Sequence, residues 1–196
     1  MRSKSKQVPG LIVFAVILLS ASCNQTPQTI NAQNGKEIMT TEKNKAADEA
    51  LIRQQIDGYV KAFRTKDLDL IMSFYTPDMV SFDVVPPLQD AGKDVYRKVW
   101  EKAFASFEGP IDVELRDLNI TTGDDLAFSH TLYRIVSKRK GQKVDYWQRL
   151  TFGFRKIGGK WLISHVHVSV PVDFKSGKAV LDLKPSVFES RSDQKP

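Results

Sequence analysis

The chain has 196 residues, of which 41% are hydrophobic and 27% are charged. These fractions are typical of a globular domain and exclude a disordered, collagen-like or multi-span membrane protein. The formal charge of +6 falls to +3 without Met1–Ser22, which contains three basic and no acidic residues. We expect no nucleic-acid partner, because nucleic-acid-binding domains carry a concentrated basic patch. The densest basic run, Lys138-Arg139-Lys140, is interpreted as a solvated hairpin turn.

The N-terminus has the three parts of a secretory signal peptide. Residues 1–6 are basic, Leu11–Leu19 is apolar but too short to span a bilayer, and residues 20–22 are small. Cys23 follows, so residues 1–22 resemble a bacterial lipoprotein signal and Cys23 is the expected lipidation site, with simple secretion as the alternative. We expect an exported domain that is lipid-anchored in the bacterial cell envelope. Asn24 favours the outer membrane if the cell is Gram-negative.

Composition then separates a tether, one domain and a tail. Residues 23–45 are rich in Asn, Gln, Thr and Lys without an apolar period, which predicts a flexible tether. Residues 46–185 form the predicted domain, and residues 186–196 a disordered tail.

Helical patterns dominate the first half of the domain. Helices are predicted over Ala46–Phe63, over Leu68–Tyr75 with Asp67 as its cap, and over Gly92–Phe107, with an extended segment at Met79–Val85. The apolar stripe of the first helix consists of Leu51, Ile52, Ile56, Tyr59, Val60 and Phe63. The stripe of the last consists of Val95, Val99, Ala103 and Phe107.

The second half alternates between apolar and polar residues. Turns separate four predicted strands, Ile111–Thr121, Leu126–Ser137, Val144–Lys156 and Lys160–Val172. Helices followed by hairpin-linked strands predict an α+β domain, with three helices on one curved antiparallel sheet. Both faces of the last two strands carry apolar residues, whereas the helices can cover only one. The uncovered face is therefore expected to pack against another copy, which makes a homodimer.

Four segments carry a family resemblance. Tyr59–Asp83 is similar to the opening of the nuclear transport factor 2-like superfamily, in its SnoaL-like and ketosteroid isomerase-like branches. The segments Trp147–Thr151 and Gly159–Pro171 and the closing Gly177–Pro185 resemble a SnoaL-like subgroup. The resemblance covers residues 46–185 and implies a cone-shaped fold with a pocket between the helices and the bent sheet.

The resemblance also implies candidate catalytic residues. Ketosteroid isomerases use an aspartate base and an oxyanion hole made of a tyrosine and a protonated aspartic acid. Tyr59 matches the donor tyrosine and Asp83 the base, but Thr151 stands where the acid should be. A good steroid isomerase is therefore not expected, since a lost oxyanion donor costs roughly 10²–10³ in rate. Alternatively, Tyr59 is a core tyrosine and Asp83 caps a turn.

A second group of candidates lies on the last two strands. Alternation places its members on one sheet face, which we interpret as the wall of the pocket. There Arg149 could bind an oxyanion, and His165 or His167 could relay a proton. Alternatively, these side chains are structural, with Arg149 paired to a buried acid. The predicted ligand-binding residues are Phe82, Trp147, Arg149, Thr151, Trp161 and Ser169.

A metal site is a weaker interpretation. His165 and His167 point the same way along a strand and could chelate a metal with His130 or Asp83. A two-histidine motif is frequent by chance, so we expect no metal and no cofactor.

The sequence therefore predicts a SnoaL-like domain with a pocket for a small apolar or carbonyl-containing ligand and, if the domain is catalytic, isomerase-like or cyclase-like acid–base chemistry. Asp83 is the expected base, and Tyr59 and Arg149 are the expected polarising donors. The alternative is a non-catalytic homo-oligomeric association or binding module. Its docking surface would be an apolar outer sheet face made of Leu150, Phe152, Phe154, Val166 and Val168.

Overall fold

The computed structural model describes residues 28–186. The chain divides into two units, Met1–Ile38 and Met39–Pro196, and every described strand belongs to the second. The predicted signal peptide, Cys23 and residues 187–196 lie outside the described residues. Among the described helices, none is long and apolar enough to cross a membrane.

The first helix, α1, spans Gln28–Thr65 and begins well before the predicted start at Ala46. Of the tether predicted over residues 23–45, the part from Gln28 onward is therefore helical. The segment contains no proline after Pro27, and extending an existing helix costs far less than nucleating a new one. The predicted apolar stripe is confirmed for the buried residues Ile52, Ile56, Tyr59 and Phe63. Leu51 is the exception, since it is exposed.

Two shorter helices complete the helical layer. Helix α2 spans Leu68–Ser73, and the predicted cap is present, because the Asp67 carboxylate accepts a hydrogen bond of 3.0 Å from the Leu70 N–H. Helix α3 spans Lys93–Ser106. Its buried residues are Tyr96 and Phe104. Of the predicted stripe, Val99 and Ala103 are half-buried and Phe107 is buried, whereas Val95 is exposed.

Six strands form one mixed sheet in the order β2-β1-β6-β5-β4-β3. The strands are β1 (Tyr75–Phe82), β2 (Asp90–Ala91), β3 (Glu108–Thr122), β4 (Leu126–Arg139), β5 (Gln142–Ile157) and β6 (Lys160–Ser169). A separate small pair is formed by β7 (Val172–Asp173) and β8 (Lys178–Ala179).

The hairpins β3–β4, β4–β5 and β5–β6 are antiparallel as predicted, whereas β1 pairs with β6 in parallel. The expectation of a purely antiparallel sheet is therefore wrong at this one pair. Turn residues predict direction only for strands that are neighbours in sequence. Strand β1 reaches β6 through a long crossover, which is the connection a parallel pair needs.

A β-bulge interrupts the alternation of β6. Gly153 of β5 pairs with His165, but the next residue, Phe154, pairs with Ile163, so Ser164 is an extra residue without a partner. The Ser164 hydroxyl donates a hydrogen bond of 3.3 Å to the Gly153 carbonyl. Gly153 suits this position because a Cβ atom there would lie 3.2 Å from the Cβ of His165.

The helices cover one face of the sheet, which we call the inner face. Rings from α1 pack on it edge-on, Tyr59 against Phe152 at 5.3 Å and Phe63 against Tyr133 at 6.0 Å between centroids. The inner face of β5 and β6 is nearly free of solvent and consists of Gln148, Leu150, Phe152, Phe154, Trp161, Ile163 and Val166. The opposite, outer face carries no helix from the described second unit.

Candidate functional site

A pocket of about 120 Å³ lies between α1, α3 and the inner face of β4–β6. Its wall is largely aromatic, and its single acidic side chain among the described residues is Asp83. Its polar or aromatic lining residues are Tyr59, Phe63, Asp83, Tyr96, Trp100, Phe107, Tyr133, Arg139, Tyr146 and Gln148. Such a wall suits a small apolar ligand that a few polar groups orient.

Asp83 follows β1 directly and is half-buried. Burial raises the pKa of Asp83, the nearby charge of Asp90 adds to the rise, and the Val84 N–H opposes it. That N–H donates a hydrogen bond of 2.6 Å to the Asp83 carboxylate. The carboxylate is thus a stronger base than an exposed aspartate, although it also contacts the turn backbone as the alternative interpretation expected.

Tyr59 lies on α1 and is 4% exposed. The Tyr75 hydroxyl donates a hydrogen bond of 3.1 Å to the Tyr59 oxygen, so the Tyr59 proton is free to point elsewhere. Burial raises the pKa of Tyr59, the bond from Tyr75 opposes this, and the charge of Asp83 adds to it. Tyr59 therefore stays protonated at neutral pH and can act as a donor within electrostatic reach of Asp83.

A second, more open cleft of about 560 Å³ adjoins the pocket. It shares Asp83, Val84 and Val168 with the pocket and adds Phe82 and His167. Asp83 thus lines both a largely apolar pocket and a more open cleft that contains a histidine.

The outer face holds every histidine of the chain. His130, His165 and His167 lie on it, and the Phe82 ring contacts two of them, with centroids 4.8 Å from His165 and 6.0 Å from His167. Partial burial lowers the pKa of His165, and the neighbouring His167 lowers it further. In the part of the chain that the structure describes, no three His, Cys, Asp or Glu side chains come together as a metal site requires.

The comparison with protein families decides the identity of the fold. Residues 52–173 match the model of the SnoaL-like domain. The chain belongs to this family. A nuclear transport factor 2-like protein of unknown function from Pseudomonas putida KT2440 is 36% identical, with a TM-score of 0.67 over 71% of this chain and 98% of that one. A comparison with the curated proteins finds no match.

More distant structures support the fold alone. A ketosteroid isomerase-like protein from Erwinia carotovora atroseptica SCRI1043 is 23% identical, with a TM-score of 0.55 over 61% of this chain and 93% of that one. A candidate scytalone dehydratase from Novosphingobium aromaticivorans DSM 12444 is 13% identical, with a TM-score of 0.56 over 63% and 83%. The cone-shaped α+β fold expected from the sequence is thus confirmed.

The SnoaL-like domain brings only part of the predicted site together. Asp83 and Tyr59 share the pocket, and Phe82, His167 and Ser169 line the adjoining cleft. The expectation that the second group of candidates lines the pocket is wrong, because the helices cover the opposite face of β5 and β6 and leave these side chains on the outer face. They are Trp147, Arg149, Thr151, His165, His167 and Ser169.

Trp161 was expected beside the histidines, and its position also needs correction. Because Ser164 is an extra residue, Trp161 and Ile163 lie on the opposite face from His165 and His167. Trp161 and Ile163 are on the inner face. The Trp161 indole N–H donates a hydrogen bond of 2.9 Å to Asp48 of α1. Trp161 is therefore a core residue whose hydrogen bond links α1 to the sheet.

The docking surface expected for an association module also needs correction, because its residues lie on the inner face and not on the outer face. Leu150, Phe152, Phe154 and Val166 are buried under the helices, and Val168 lines the pocket. An outer-face association would instead use exposed aromatic residues such as Phe82 and Phe128.

The sequence reasoning missed the residues that line the pocket from α3, β4 and β5. Tyr133, Ile135 and Arg139 share one parity along β4, and Tyr146, Gln148 and Leu150 share one along β5. The alternation of β4 was available in the sequence and would have separated Arg139 from its exposed neighbours Lys138 and Lys140.

Proposed function

We propose that the protein is a small-molecule enzyme that performs isomerase-like or cyclase-like acid–base chemistry on a carbonyl compound. The observation that carries the proposal is a half-buried carboxylate, Asp83, in a pocket lined mainly by aromatic and aliphatic side chains. An apolar wall favours a carboxylate whose pKa is raised, which is the property a general base needs near neutral pH.

In the proposed reaction, the Asp83 carboxylate accepts a proton from the carbon next to the ligand carbonyl. The electron pair of that C–H bond moves onto the carbonyl oxygen and forms an enolate. Where the ligand carries a C=C bond next to that carbon, the enolate is a dienolate, and the protonated Asp83 returns the proton to its far carbon. The C=O bond re-forms and the C=C bond shifts by one position, which completes an isomerisation. In the cyclase variant, the enolate carbon attacks a second carbonyl of the same molecule, and the new alkoxide takes up the proton.

The enolate oxygen needs hydrogen-bond donors. Tyr59 can supply one, because its own proton is not used in the bond that it accepts from Tyr75. Trp100 and Gln148 also line the pocket and carry N–H groups. Arg149 and Thr151, which the sequence suggested for this role, lie on the other side of the sheet. Tyr59 is therefore retained as the principal donor.

The adjoining cleft supplies a route for protons. His167 lines the cleft together with Asp83, so it can exchange protons between Asp83 and solvent while a ligand occupies the aromatic pocket. His165 packs against the same Phe82 ring but does not line the cleft, so we assign the relay to His167.

The test measures exchange of the α-protons of cyclohexanone in D2O by proton NMR, with the purified protein in catalytic amounts. The wild-type protein is expected to accelerate exchange, and Asp83→Asn to reduce the acceleration by about 10²-fold or more. The matched control is Asp124→Asn, which removes an exposed carboxylate in the β3–β4 turn. The activity should also fall as the pH drops through the pKa of Asp83, which burial places above 3.8.

Full activity in Asp83→Asn, with its fold intact by circular dichroism, would remove the proposed base. Loss of exchange in the Asp124 control would show that the effect depends on overall charge.

A second candidate function rests on the outer face. Phe82 and Phe128 are 40% and 47% exposed there, and a face without helices is a surface on which another copy can pack. We propose a homodimer formed through this face, either as the active form of the enzyme or as a non-catalytic association module. Anchoring of this dimer to the cell envelope through Cys23 is part of the same proposal.

A further inference from the structure

Arg139, the last residue of β4, differs from the other residues of its basic run. Lys138 and Lys140 are exposed, whereas the Arg139 guanidinium lies over the Phe107 ring, with Cζ 4.4 Å from the centroid. Strand alternation places Arg139 on the inner face with Tyr133 and Ile135, and all three line the pocket. A positive charge therefore stands at the wall of an aromatic cavity.

This guanidinium has no counter-ion within the described residues. Arg134 pairs with Asp145 at 2.8 Å and with Glu114 at 3.1 Å, and Arg155 pairs with Asp78. Arg139 forms no such pair, and its Nε atom is buried without a hydrogen-bond partner. A buried N–H of a charged group is almost always bonded, so an acceptor from outside the chain is expected here.

A second donor of the same pocket is also without an acceptor. The Trp100 Nε1 atom is buried and has no partner among the described residues. Trp100 packs edge-on against Phe63, with centroids 5.0 Å apart, so its ring is held in place. The Tyr96 hydroxyl lines the same pocket and is also buried without a partner. Three donors without acceptors in one cavity point to a ligand that is apolar in its body and rich in acceptors at its edge.

The size of the cavity limits the body of this ligand. The volume is about 120 Å³, somewhat below the roughly 150 Å³ of an engineered protein cavity that binds benzene. The cavity therefore fits one six-membered ring and excludes a fused ring system unless the wall moves.

We propose that Arg139 binds the carboxylate of a single-ring carboxylic acid and thereby orients the ring in the pocket. A guanidinium matches a carboxylate with two parallel N–H···O bonds. A phosphate would bring a second negative charge that one guanidinium does not neutralise, into a cavity that already contains Asp83. The role of Arg139 in binding the carboxylate is independent of the proposed function. Only the further step, in which Asp83 acts on the bound ring, rests on that function.

The position of Tyr146 is consistent with this orientation. Burial raises the pKa of Tyr146, the charge of Arg139 lowers it, and the charge of Asp83 raises it. Tyr146 is thus within electrostatic reach of both charged groups. A ring held at Arg139 by its carboxylate would present its other atoms along the wall that leads to Asp83.

The test compares benzoate with benzamide, which has the same ring and planar head group but no charge, by isothermal titration calorimetry on the full chain at pH 7. The wild-type protein is expected to bind benzoate about tenfold or more tightly than benzamide, as a charged hydrogen bond implies. Arg139→Gln should remove this preference and leave benzamide affinity within about twofold. Arg139→Lys should keep part of it, since a lysine supplies charge without the planar fork.

The matched control is Lys138→Gln, which removes the adjacent charge on the exposed side of the same strand. Benzoate affinity should stay the same in this variant. Equal binding of the two probes to the wild-type protein, a preference that survives Arg139→Gln, or an equal loss in Lys138→Gln would overturn the assignment. Binding of neither probe would overturn the proposal that this pocket takes a single-ring carboxylic acid.

The Asp83→Asn variant separates this inference from the proposed function. It should retain the preference for benzoate even if it loses proton exchange. A charge preference without any exchange activity in the wild-type protein would leave Arg139 as a ligand-binding residue and remove Asp83 as a base.

Discussion

The two faces of strand β5 carry similar numbers of large side chains but differ in solvent exposure. On the inner face Leu150, Phe152 and Phe154 are at most 5% exposed, whereas on the outer face Arg149 is exposed and Thr151 is half-buried. The inner residues support the pocket and the outer residues leave a surface open to a partner. The comparison teaches that the helices cover the more apolar face of β5 and leave its more polar face open.

One residue explains why the sequence misled on β6. Regular alternation groups Trp161 and Ile163 with His165 and His167, whereas the bulge at Ser164 separates them. A shift of one residue exchanges every side chain between two faces. Because aromatic and polar residues occur on both sides, the pattern alone gave no sign that the count was wrong.

Two single-residue deletions test this comparison with the largest expected effect. Deleting Leu162 would move Trp161 to the outer face and break its bond to Asp48, which should cost about 3–5 kcal/mol or abolish folding. Deleting Ser164 removes only the extra residue and leaves Ile163 and Val166 on the inner face, so the protein should still fold. Urea unfolding followed by circular dichroism measures both.

The Ser164 deletion serves as the control for chain length, since both variants lose one residue of β6. If both deletions unfold the protein equally, or if the Leu162 deletion is the milder one, the bulge is not what assigns the faces.

A smaller effect is expected at the contact that fastens α1 to the inner face. Asp48 accepts hydrogen bonds from Lys156 at 2.7 Å and from Trp161 at 2.9 Å. Asp48→Asn should lower the free energy of unfolding by about 2 kcal/mol at pH 7, because it leaves a partly buried ammonium without its partner.

The pH dependence follows from the direction of the pKa shift. The hydrogen bond from Lys156 lowers the pKa of Asp48 below 3.8, while burial opposes the shift. The carboxylate therefore stabilises the fold above the pKa of the unfolded chain and loses this contribution as the pH falls below about 4. The difference between wild type and Asp48→Asn should thus shrink at pH 3, and an unchanged difference would contradict this account.

The smallest change in fold stability is expected on the outer face. Phe128→Glu replaces a residue that is 47% exposed and should change the free energy of unfolding of the monomer by less than about 1 kcal/mol. If two copies pack through this face, sedimentation equilibrium should show a wild-type dimer and a largely monomeric variant.

Leu88→Glu is the matched control, since Leu88 is 95% exposed in the loop between β1 and β2 rather than on the sheet. This variant should remain dimeric. A monomeric wild-type protein, or equal dissociation of the two variants, would contradict the proposed interface.

Local patterns predicted most of the fold. The apolar spacing of α1, the Asp67 cap and the turns between β3, β4, β5 and β6 depend on residues close in sequence, and the structure confirms them except for the exposed Leu51. The parallel pairing of β1 with β6 depends on residues far apart, and nothing local encodes its direction. The same distinction explains the sheet error, because a bulge depends on the partner strand.

The candidate site was predictable to a smaller extent. The resemblance placed Asp83 and Tyr59 in a pocket, and both line one. Arg139 was missed because its basic neighbours suggested a solvated turn, although strand parity pointed inward. Trp100 was missed because the predicted stripe of α3 included its neighbour Val99 but not Trp100 itself, and both line the pocket.

Strand β6 has a consequence for the order in which the molecule can be completed. It contributes the centre of the sheet between β1 and β5, and its Trp161 bonds to Asp48, 113 positions earlier in the chain. Before the ribosome has released strand β6, strand β1 has no partner that links it to β5. The hydrogen bond between Trp161 and Asp48 of α1 is also missing at that stage. Nearly the whole domain must therefore be synthesised before it can fold. Folding that depends on contacts between distant residues is typically slow. A chain that stays unfolded until synthesis is almost finished can still be bound or translocated by factors that require an extended polypeptide.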